Sequence, residues 1–135
     1  MIVLDASLIV AHVLGEEAIV ARADIIQTLK NGKIVVPAHW TVEISNAMIT
    51  NVRRRRLSLE DAQLVLQEIA KYDVEVRSAS PKDISILTSF AHEQQLTAYD
   101  AAYVKLAMDA SATLATLDEA MRRAARRLQI DVAPD

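Results

Sequence analysis

The chain has 135 residues, of which 52% are hydrophobic, and a formal net charge of −3 at pH 7. This length suffices for one domain with a sizeable core, and the hydrophobic content excludes a disordered tail. The longest uncharged run, residues 6–15, is shorter than the ~20 residues that cross a bilayer. Cysteine is absent, which excludes disulfides, thiolate metal sites and cysteine nucleophiles. With no recognisable signal sequence, we expect a cytoplasmic protein.

Short strands alternate with helices along the sequence. Apolar and β-branched runs predict strands at residues 2–4, 33–37, 74–76 and 112–115, with a short edge strand at 130–133. Periodicity and capping residues predict helices from about residue 7, over 17–30, over 40–53, from 58, from 80, over 99–109 and from 118. This alternation predicts a three-layer α/β/α fold with a mostly parallel central sheet of four to five strands.

Four acidic residues occupy positions that such a sheet would bring together. Asp5 and Asp118 follow the first and fourth predicted strands. Glu43 lies in the helix after the second strand, and Asp100 near the start of the helix before the fourth. If the first and fourth strands are neighbours, all four carboxylates meet at the carboxyl edge of the sheet, where α/β proteins form their sites. Their repulsion would be relieved by a hard divalent cation, and two such ions can activate water for phosphodiester cleavage.

Each acid also has a purely structural interpretation. Asp5 and Asp118 could each cap the helix that follows. Asp100 could form a capping box with Thr97, and Glu43 could be a surface acid. Capping does not explain why Glu43 interrupts the otherwise apolar run WTVEISNAM. The glycine-poor sequence lacks a phosphate-cradling loop, which disfavours a Rossmann or P-loop site.

Four stretches carry a family resemblance: MIVLDASLI, VEISNAM, LTAYDAAYVKLA and LATLD. In this order and spacing they resemble PIN-domain ribonucleases, and among these the VapC-type toxins of type II toxin–antitoxin pairs. The resemblance covers essentially the whole chain and implies a single PIN-like domain over residues 1–135. It further implies cleavage of RNA by water that Mg²⁺ or Mn²⁺ activates. The implied partners are an RNA substrate, a cognate antitoxin, and a homodimer or hetero-oligomer with that antitoxin, with no membrane involved.

The resemblance also assigns site residues. The family's acidic quartet, expected to be catalytic and to bind the metal, falls on Asp5, Glu43, Asp100 and Asp118. Small polar side chains that would orient these ligands are Ser7, Asn46 and Thr116. Local backbone capping explains these three equally well.

Two arginine clusters could contact RNA phosphates or a partner, or could simply be solvated. The first cluster consists of Arg53, Arg54, Arg55 and Arg56. In the second cluster the helical pattern predicts outward-pointing side chains for Arg122, Arg123, Arg126 and Arg127. An apolar helix surface that a dimer partner could cover is expected at Val42, Ile44, Met48 and Ile49.

Other functions remain open. A PIN nuclease could process RNA without an antitoxin, or the acids could hold a purely structural ion. A receiver-like signalling module is disfavoured because only a single acid follows the first strand and no lysine follows the last. His39 and Glu43, four residues apart, could form a zinc pair, although no third nitrogen ligand is evident.

Overall fold

The computed structural model describes residues 1–15, 27 and 29–135. In chain order the elements are β1 (Ile2–Leu4), α1 (Ala6–Val13), β2 (Ile34–Pro37), α2 (Trp40–Arg53), α3 (Leu59–Ile69), β3 (Val74–Arg77), α4 (Asp83–Gln94), α5 (Ala98–Asp109), β4 (Thr113–Ala115), α6 (Glu119–Arg127) and β5 (Val132–Ala133). Most of the helix predicted over 17–30 lies outside the described residues, and residues 29–31 are helical.

The strands form one all-parallel sheet in the order β3-β2-β1-β4-β5. Val3 in the centre of β1 is in register with Val35 of β2 and Leu114 of β4. β1 and β2 are buried along their whole length, so each is a continuous apolar run, as expected for strands covered on both faces. The predicted fold class is confirmed. So is the condition for convergence of the acids, because β1 and β4 are neighbours.

The chain winds away from β1 in two directions. From β1 it passes to β2 and β3, and the helices α1, α2 and α3 pack against one another along this path. It then returns past β1 to β4 and β5, and α5 packs against both α4 and α6. Right-handed crossovers that run in opposite directions place these two helix groups on opposite faces of the sheet. The direction of winding therefore reverses between β1 and β4.

The predicted capping residues have different outcomes at the starts of α3 and α4. Ser58 caps α3, since its hydroxyl accepts a hydrogen bond from the N–H of Asp61 at 3.0 Å. The prediction that a helix starts at residue 80 is wrong, because residues 81–82 form a turn and α4 begins at Asp83. Ser80 donates its backbone N–H to the Asp83 carboxylate (2.8 Å), and Asp83 donates its N–H to the Ser80 carbonyl (2.9 Å). These two bonds close the turn ahead of the helix.

The expected orientation of Arg122 is wrong. Its side chain is only 6% exposed, whereas Arg123, Arg126 and Arg127 on the same helix are exposed as predicted. The sequence pattern RRAARR does not distinguish the first arginine from the others. Arg122 is buried because its guanidinium reaches two backbone carbonyls, which a helical periodicity argument cannot foresee.

The apolar surface expected on α2 is smaller than predicted. Ile44 and Met48 are 4% and 3% exposed because α2 packs against α1 and α3, so they belong to the core. Ile49 is half-buried, and Val42 is 68% exposed.

Within the described ranges, no helix combines the length and apolar character needed to span a membrane.

Candidate active site

The carboxyl ends of β1 and β4 lie side by side, and each is followed closely by an aspartate. Asp5 directly follows β1, and its backbone N–H donates to the carbonyl of Ala115 at the end of β4 (3.0 Å). Asp118 comes three residues after Ala115 and caps α6. The winding direction reverses between these strands, and α/β sheets bind ligands at such a point.

Asp5 is a buried carboxylate held by hydroxyl groups. It is only 4% exposed. Its Oδ2 accepts hydrogen bonds from the hydroxyls of Ser7 (2.8 Å) and Thr116 (2.7 Å), and its Oδ1 accepts the backbone N–H of Ser7 (3.3 Å). A buried carboxylate requires such donors, because burial without hydrogen bonds is costly. Ser7 and Thr116 therefore orient the Asp5 carboxylate directly.

Thr116 connects Asp5 to Asp118. Its side-chain oxygen, which donates to Asp5, also accepts the backbone N–H of Asp118 at 3.1 Å. The Asp118 carboxylate is exposed at the start of α6, where Oδ1 accepts the N–H of Met121 at 2.8 Å. One buried hydroxyl thus fixes the relative position of the two strand-end aspartates.

Glu43 contacts two side chains, those of Tyr103 and His39, and the sequence predicted only the pairing with His39. The hydroxyl of Tyr103 donates to Glu43 Oε1 (2.8 Å), and His39 Nε2 lies 2.9 Å from the same oxygen. The Tyr103 oxygen in turn accepts the backbone N–H of Ala6 at 3.4 Å, next to Asp5. Burial, followed by the hydrogen bond to Glu43, raises the pKa of the Tyr103 phenol, so it remains a donor.

Spacing along the helices indicates both contacts, although only His39 and not Tyr103 was singled out from the sequence. Tyr103 lies three residues after Asp100 in the stretch LTAYDAAYVKLA, and His39 lies four residues before Glu43. Positions three or four apart share a helix face. The His39 ring makes edge contacts with the rings of Tyr103 (5.1 Å between centroids) and Tyr99 (5.6 Å). The contact between His39 and Glu43 is observed, but no third ligand for the suggested zinc pair is found among the described residues.

The electrostatics of Asp100 involve all the other acids. Burial is the main cause that raises the pKa of the Asp100 carboxyl above its ordinary value. The negative charges of Asp118, Asp5 and Glu43 raise this pKa further, and a hydrogen bond with Thr97 opposes the rise. The four predicted acids, which come from four separate parts of the chain, therefore lie within electrostatic reach of one another.

The capping interpretation is correct and does not compete with a shared site. Asp5 and Asp118 are the N-caps of α1 and α6, and Thr97 caps α5 by accepting the N–H of Asp100 at 3.2 Å. Each aspartate cap uses Oδ1 for the backbone N–H, and the second oxygen of Asp5 accepts the Ser7 and Thr116 hydroxyls. The caps fix where each carboxylate lies, and the sheet topology brings them together.

The donor set suits a hard divalent cation, whose preferred ligands are carboxylate and hydroxyl oxygens. In the described ranges no group of three acidic or histidine side chains is positioned to hold a metal ion. Some of these carboxyl groups would therefore have to turn toward one another to share an ion. Within the described part of the chain, no lysine or arginine forms an ion pair with any of the four acids. Charge compensation by a cation fits the chemistry of this cluster.

Two groups of predicted residues lie apart from the acidic cluster. Asn46 is exposed one turn after Glu43, and no hydrogen bond joins it to the four acids within the described residues. The arginines at positions 53–56 are exposed at the far end of α2. Since ten residues separate Glu43 from Arg53, the arginine cluster begins ~15 Å along the helix from the acid.

A cleft borders the acidic cluster and shares His39 with it. Its volume is about 510 Å³, and its walls come from the ends of β2 and β3 and from α4 and α5. Apolar side chains such as Ile86 and Leu106 line it together with the cations Arg77 and Lys105. Lys105 pairs with Asp109 at 2.6 Å, and Arg77 pairs with Glu75 at 2.8 Å.

Comparisons with known proteins agree with this architecture. No curated protein matches the chain at a significant level. Among solved structures, PAE2754 from Pyrobaculum aerophilum has a TM-score of 0.70 at 22% identity, covering 91% of this chain and 78% of that chain. VapBC2 from Rickettsia felis, bound to a promoter DNA fragment, has a TM-score of 0.67 at 16% identity, with 98% and 97% covered. FitAcB from Neisseria gonorrhoeae has a TM-score of 0.63 at 19% identity, with 98% and 96% covered.

At these identities the structural likeness shows the fold alone. The sequence provides the stronger finding, because the sequence model of the PIN domain matches residues 2–127. This match contains all four acids and every strand from β1 to β4. The resemblance drawn from the sequence motifs is confirmed, and the chain belongs to the PIN domain family.

Proposed function

We propose that this PIN domain is a metal-dependent endoribonuclease and that it acts as the toxin of a type II toxin–antitoxin pair. Its catalytic and metal-binding residues would be Asp5, Glu43, Asp100 and Asp118. The observation that carries the proposal is geometric: Thr116 joins Asp5 to Asp118 by hydrogen bonds, and the Tyr103 hydroxyl joins Glu43 to the Ala6 N–H beside Asp5. PIN domains are generally nucleases, which agrees with such a cluster.

The acids would bind Mg²⁺ or Mn²⁺, which supplies the Lewis acidity that phosphodiester hydrolysis requires. The chain's own contribution is to orient the carboxylates before the ion arrives. Ser7 and Thr116 fix the Asp5 carboxylate, and the Tyr103 hydroxyl fixes one oxygen of Glu43. Such supporting hydrogen bonds strengthen metal affinity because less orientational freedom is lost on binding.

An exposed aromatic ring beside the acids supports a polynucleotide substrate. Tyr99 is 66% exposed and directly precedes Asp100. Among the described residues, its ring contacts one other ring, that of His39, in a T-shaped arrangement. Aromatic faces of this kind stack on nucleic-acid bases regardless of sequence. The exposed arginines at positions 53–56 could neutralise phosphates farther along the strand, at a distance from the reacting bond.

The proposed antitoxin partner rests on the comparisons. The structure of VapBC2 contains promoter DNA. The FitAB protein from the same comparison was also solved bound to a DNA fragment. By analogy, we propose that this chain pairs with a partner protein that binds DNA and restrains the nuclease.

The nuclease proposal is tested by cleavage of a mixed-sequence RNA by the purified protein. We expect cleavage with Mg²⁺ or Mn²⁺ and none in excess EDTA. Asp5→Asn should abolish cleavage while its circular dichroism spectrum remains that of the wild type. Asp73→Asn is the matched control, because Asp73 is exposed and precedes β3 at the opposite edge of the sheet. A fully active Asp5→Asn protein with unchanged metal dependence would exclude this assignment.

The toxin proposal is tested in cells with the same pair of variants. Expression of the wild type and of Asp73→Asn should arrest growth, whereas Asp5→Asn should not. Co-expression of the product of an adjacent small open reading frame should relieve the arrest. Cleavage in vitro without growth arrest would instead favour an RNA-processing nuclease that has no antitoxin.

A further inference from the structure

Arg122 is a buried cation in a helix whose other arginines are exposed. Its side chain is 6% exposed. Nη1 donates to the carbonyl of Thr116 (2.8 Å), and Nη2 donates to the carbonyl of Pro134 (2.6 Å). The Glu119 carboxylate lies 3.8 Å from Nε and is itself exposed. The principal partners of this guanidinium are therefore two backbone carbonyls, which belong to the loop after β4 and to the segment after β5.

Thr116 is the residue through which Arg122 reaches the acidic site. The Thr116 backbone N–H donates to the Ala133 carbonyl at 3.0 Å, and Arg122 occupies its carbonyl oxygen. Its side-chain oxygen then donates to Asp5 and accepts from the Asp118 N–H. Because hydrogen bonds hold both the N–H and the carbonyl of Thr116, its side chain has a fixed position, and its hydroxyl orients the two strand-end aspartates.

We infer that Arg122 is a positioning residue for the acidic site and acts through Thr116. Its planar guanidinium donates to two carbonyls at once, a geometry that the single ammonium of lysine does not reproduce. Loss of the two hydrogen bonds from the Arg122 guanidinium would free the Thr116 carbonyl and let the loop after β4 move. Asp5 would then lose the fixed direction of one of its two hydroxyl donors.

The inference rests on the proposed function in one respect, which is that the acids bind a divalent cation. A purely structural role is the alternative, because Arg122 also ties the segment after β5 to α6. The two roles differ in their effect on cation affinity. A structural tie lowers the melting temperature alone, whereas a positioning residue also weakens binding of an ion that Arg122 does not touch.

The test compares five variants by titration calorimetry with Mn²⁺, at a temperature where circular dichroism shows each to be folded. We expect Arg122→Met to weaken Mn²⁺ binding about 10-fold or more, as loss of a ligand-orienting contact does. Arg122→Lys should weaken it less. Arg123→Met is the control, because it removes the same charge from an exposed neighbour on α6.

A double-mutant cycle shows whether the effect passes through Thr116. Thr116→Val removes the hydroxyl and should also weaken Mn²⁺ binding. If Arg122 acts through that hydroxyl, the double variant Arg122→Met/Thr116→Val should bind Mn²⁺ no more weakly than Thr116→Val alone. Wild-type affinity in Arg122→Met, or additive losses in the double variant, would overturn the inference. If Arg122→Met does not fold, Arg122→Lys takes its place in the cycle.

Amide hydrogen exchange separates failure of this inference from failure of the proposed function. The Asp118 N–H donates to the Thr116 hydroxyl, so it should exchange faster in Arg122→Met than in the wild type or Arg123→Met. This readout needs no metal. A wild type that binds no Mn²⁺ would refute the proposed function, and the Asp118 exchange rate would still decide the role of Arg122.

Discussion

The two halves of the acidic site are built differently. On the strand side, Asp5 is buried and accepts two hydroxyl hydrogen bonds of 2.7 and 2.8 Å. On the helix side, Asp100 is half-buried, and burial followed by the negative charges of the other acids raises the pKa of its carboxyl. The strand side is therefore fixed by hydrogen bonds, whereas the helix side bears electrostatic repulsion.

This difference explains why the four acids lie near one another although no three acidic or histidine side chains among the described residues are positioned to hold a metal ion. A side chain locked by buried donors cannot reorient cheaply, but half-buried side chains at or near helix starts can change rotamer. If a cation binds as proposed, we expect Asp5 to stay in place and Asp100 to adjust around it. Three variants examine this contrast between a fixed half and an adjustable half.

Asp5→Ala should have the largest effect on stability. It removes the cap of α1 and leaves the hydroxyls of Ser7 and Thr116 without their acceptor. We expect the free energy of unfolding to fall by about 2 kcal/mol in metal-free buffer, as measured by urea denaturation. Asp73→Ala, at an exposed position, should change it little. A stability equal to that of the wild type would mean that the strand side is not fixed by these bonds.

Tyr103→Phe should have an intermediate effect. The ring is fully buried, and its hydroxyl lies between the Ala6 N–H and Glu43. Its removal leaves the Ala6 N–H unsatisfied, which should cost about 1 kcal/mol of unfolding free energy in urea denaturation. The same change at exposed Tyr99 is the control and should cost nothing measurable. Equal effects at both positions would show that the Tyr103 hydroxyl does not link the two halves.

Asp100→Asn should have the smallest effect, and its sign should be opposite. Because the pKa of Asp100 is raised above its ordinary value of 3.8, the folded protein binds a proton more tightly than the unfolded chain. Stability from this group therefore falls as pH rises from about 3.8 through the raised pKa. In EDTA, the variant should gain stability over the wild type across that interval.

Urea midpoints of the wild type and Asp100→Asn, measured from pH 4 to pH 7, follow this difference directly. Titrating groups distant from Asp100 are common to the two proteins and cancel in the comparison, so the difference reports Asp100 and the acids coupled to it. A midpoint difference that is constant with pH would show that Asp100 does not bear the repulsion of the cluster.

Most secondary-structure elements could be predicted because their signals are local. The helix over residues 40–53 and the strand over residues 2–4 agree with α2 and β1 to the residue. The start of α4 was predicted too early. A serine followed three residues later by an aspartate, as at Ser80 and Asp83, occurs both at helix starts and in the turn seen here. The acids could be placed because parallel strands put their carboxyl ends at one edge.

Arg122 shows where local pattern fails. Its position in RRAARR gives it the same polarity as Arg123, and periodicity assigns such residues to solvent. The carbonyls that Arg122 binds belong to residues 116 and 134, which approach only after β4 and β5 have paired. No periodicity of α6 contains that information.

The sequence by itself determined the order of strands and helices, the mostly parallel sheet and the position of each acid along these elements, because periodicity and chain order suffice for these. The tertiary structure decided that β1 and β4 are neighbours, on which the meeting of the acids depended. Only the tertiary structure decided which side chains hold the acids. Thr116 lies 111 residues from Asp5, and Tyr103 lies 60 residues from Glu43. Hydrogen bonds of 2.7–2.8 Å between such distant residues depend on side-chain placement to a fraction of an ångström, which the packing of the whole core sets.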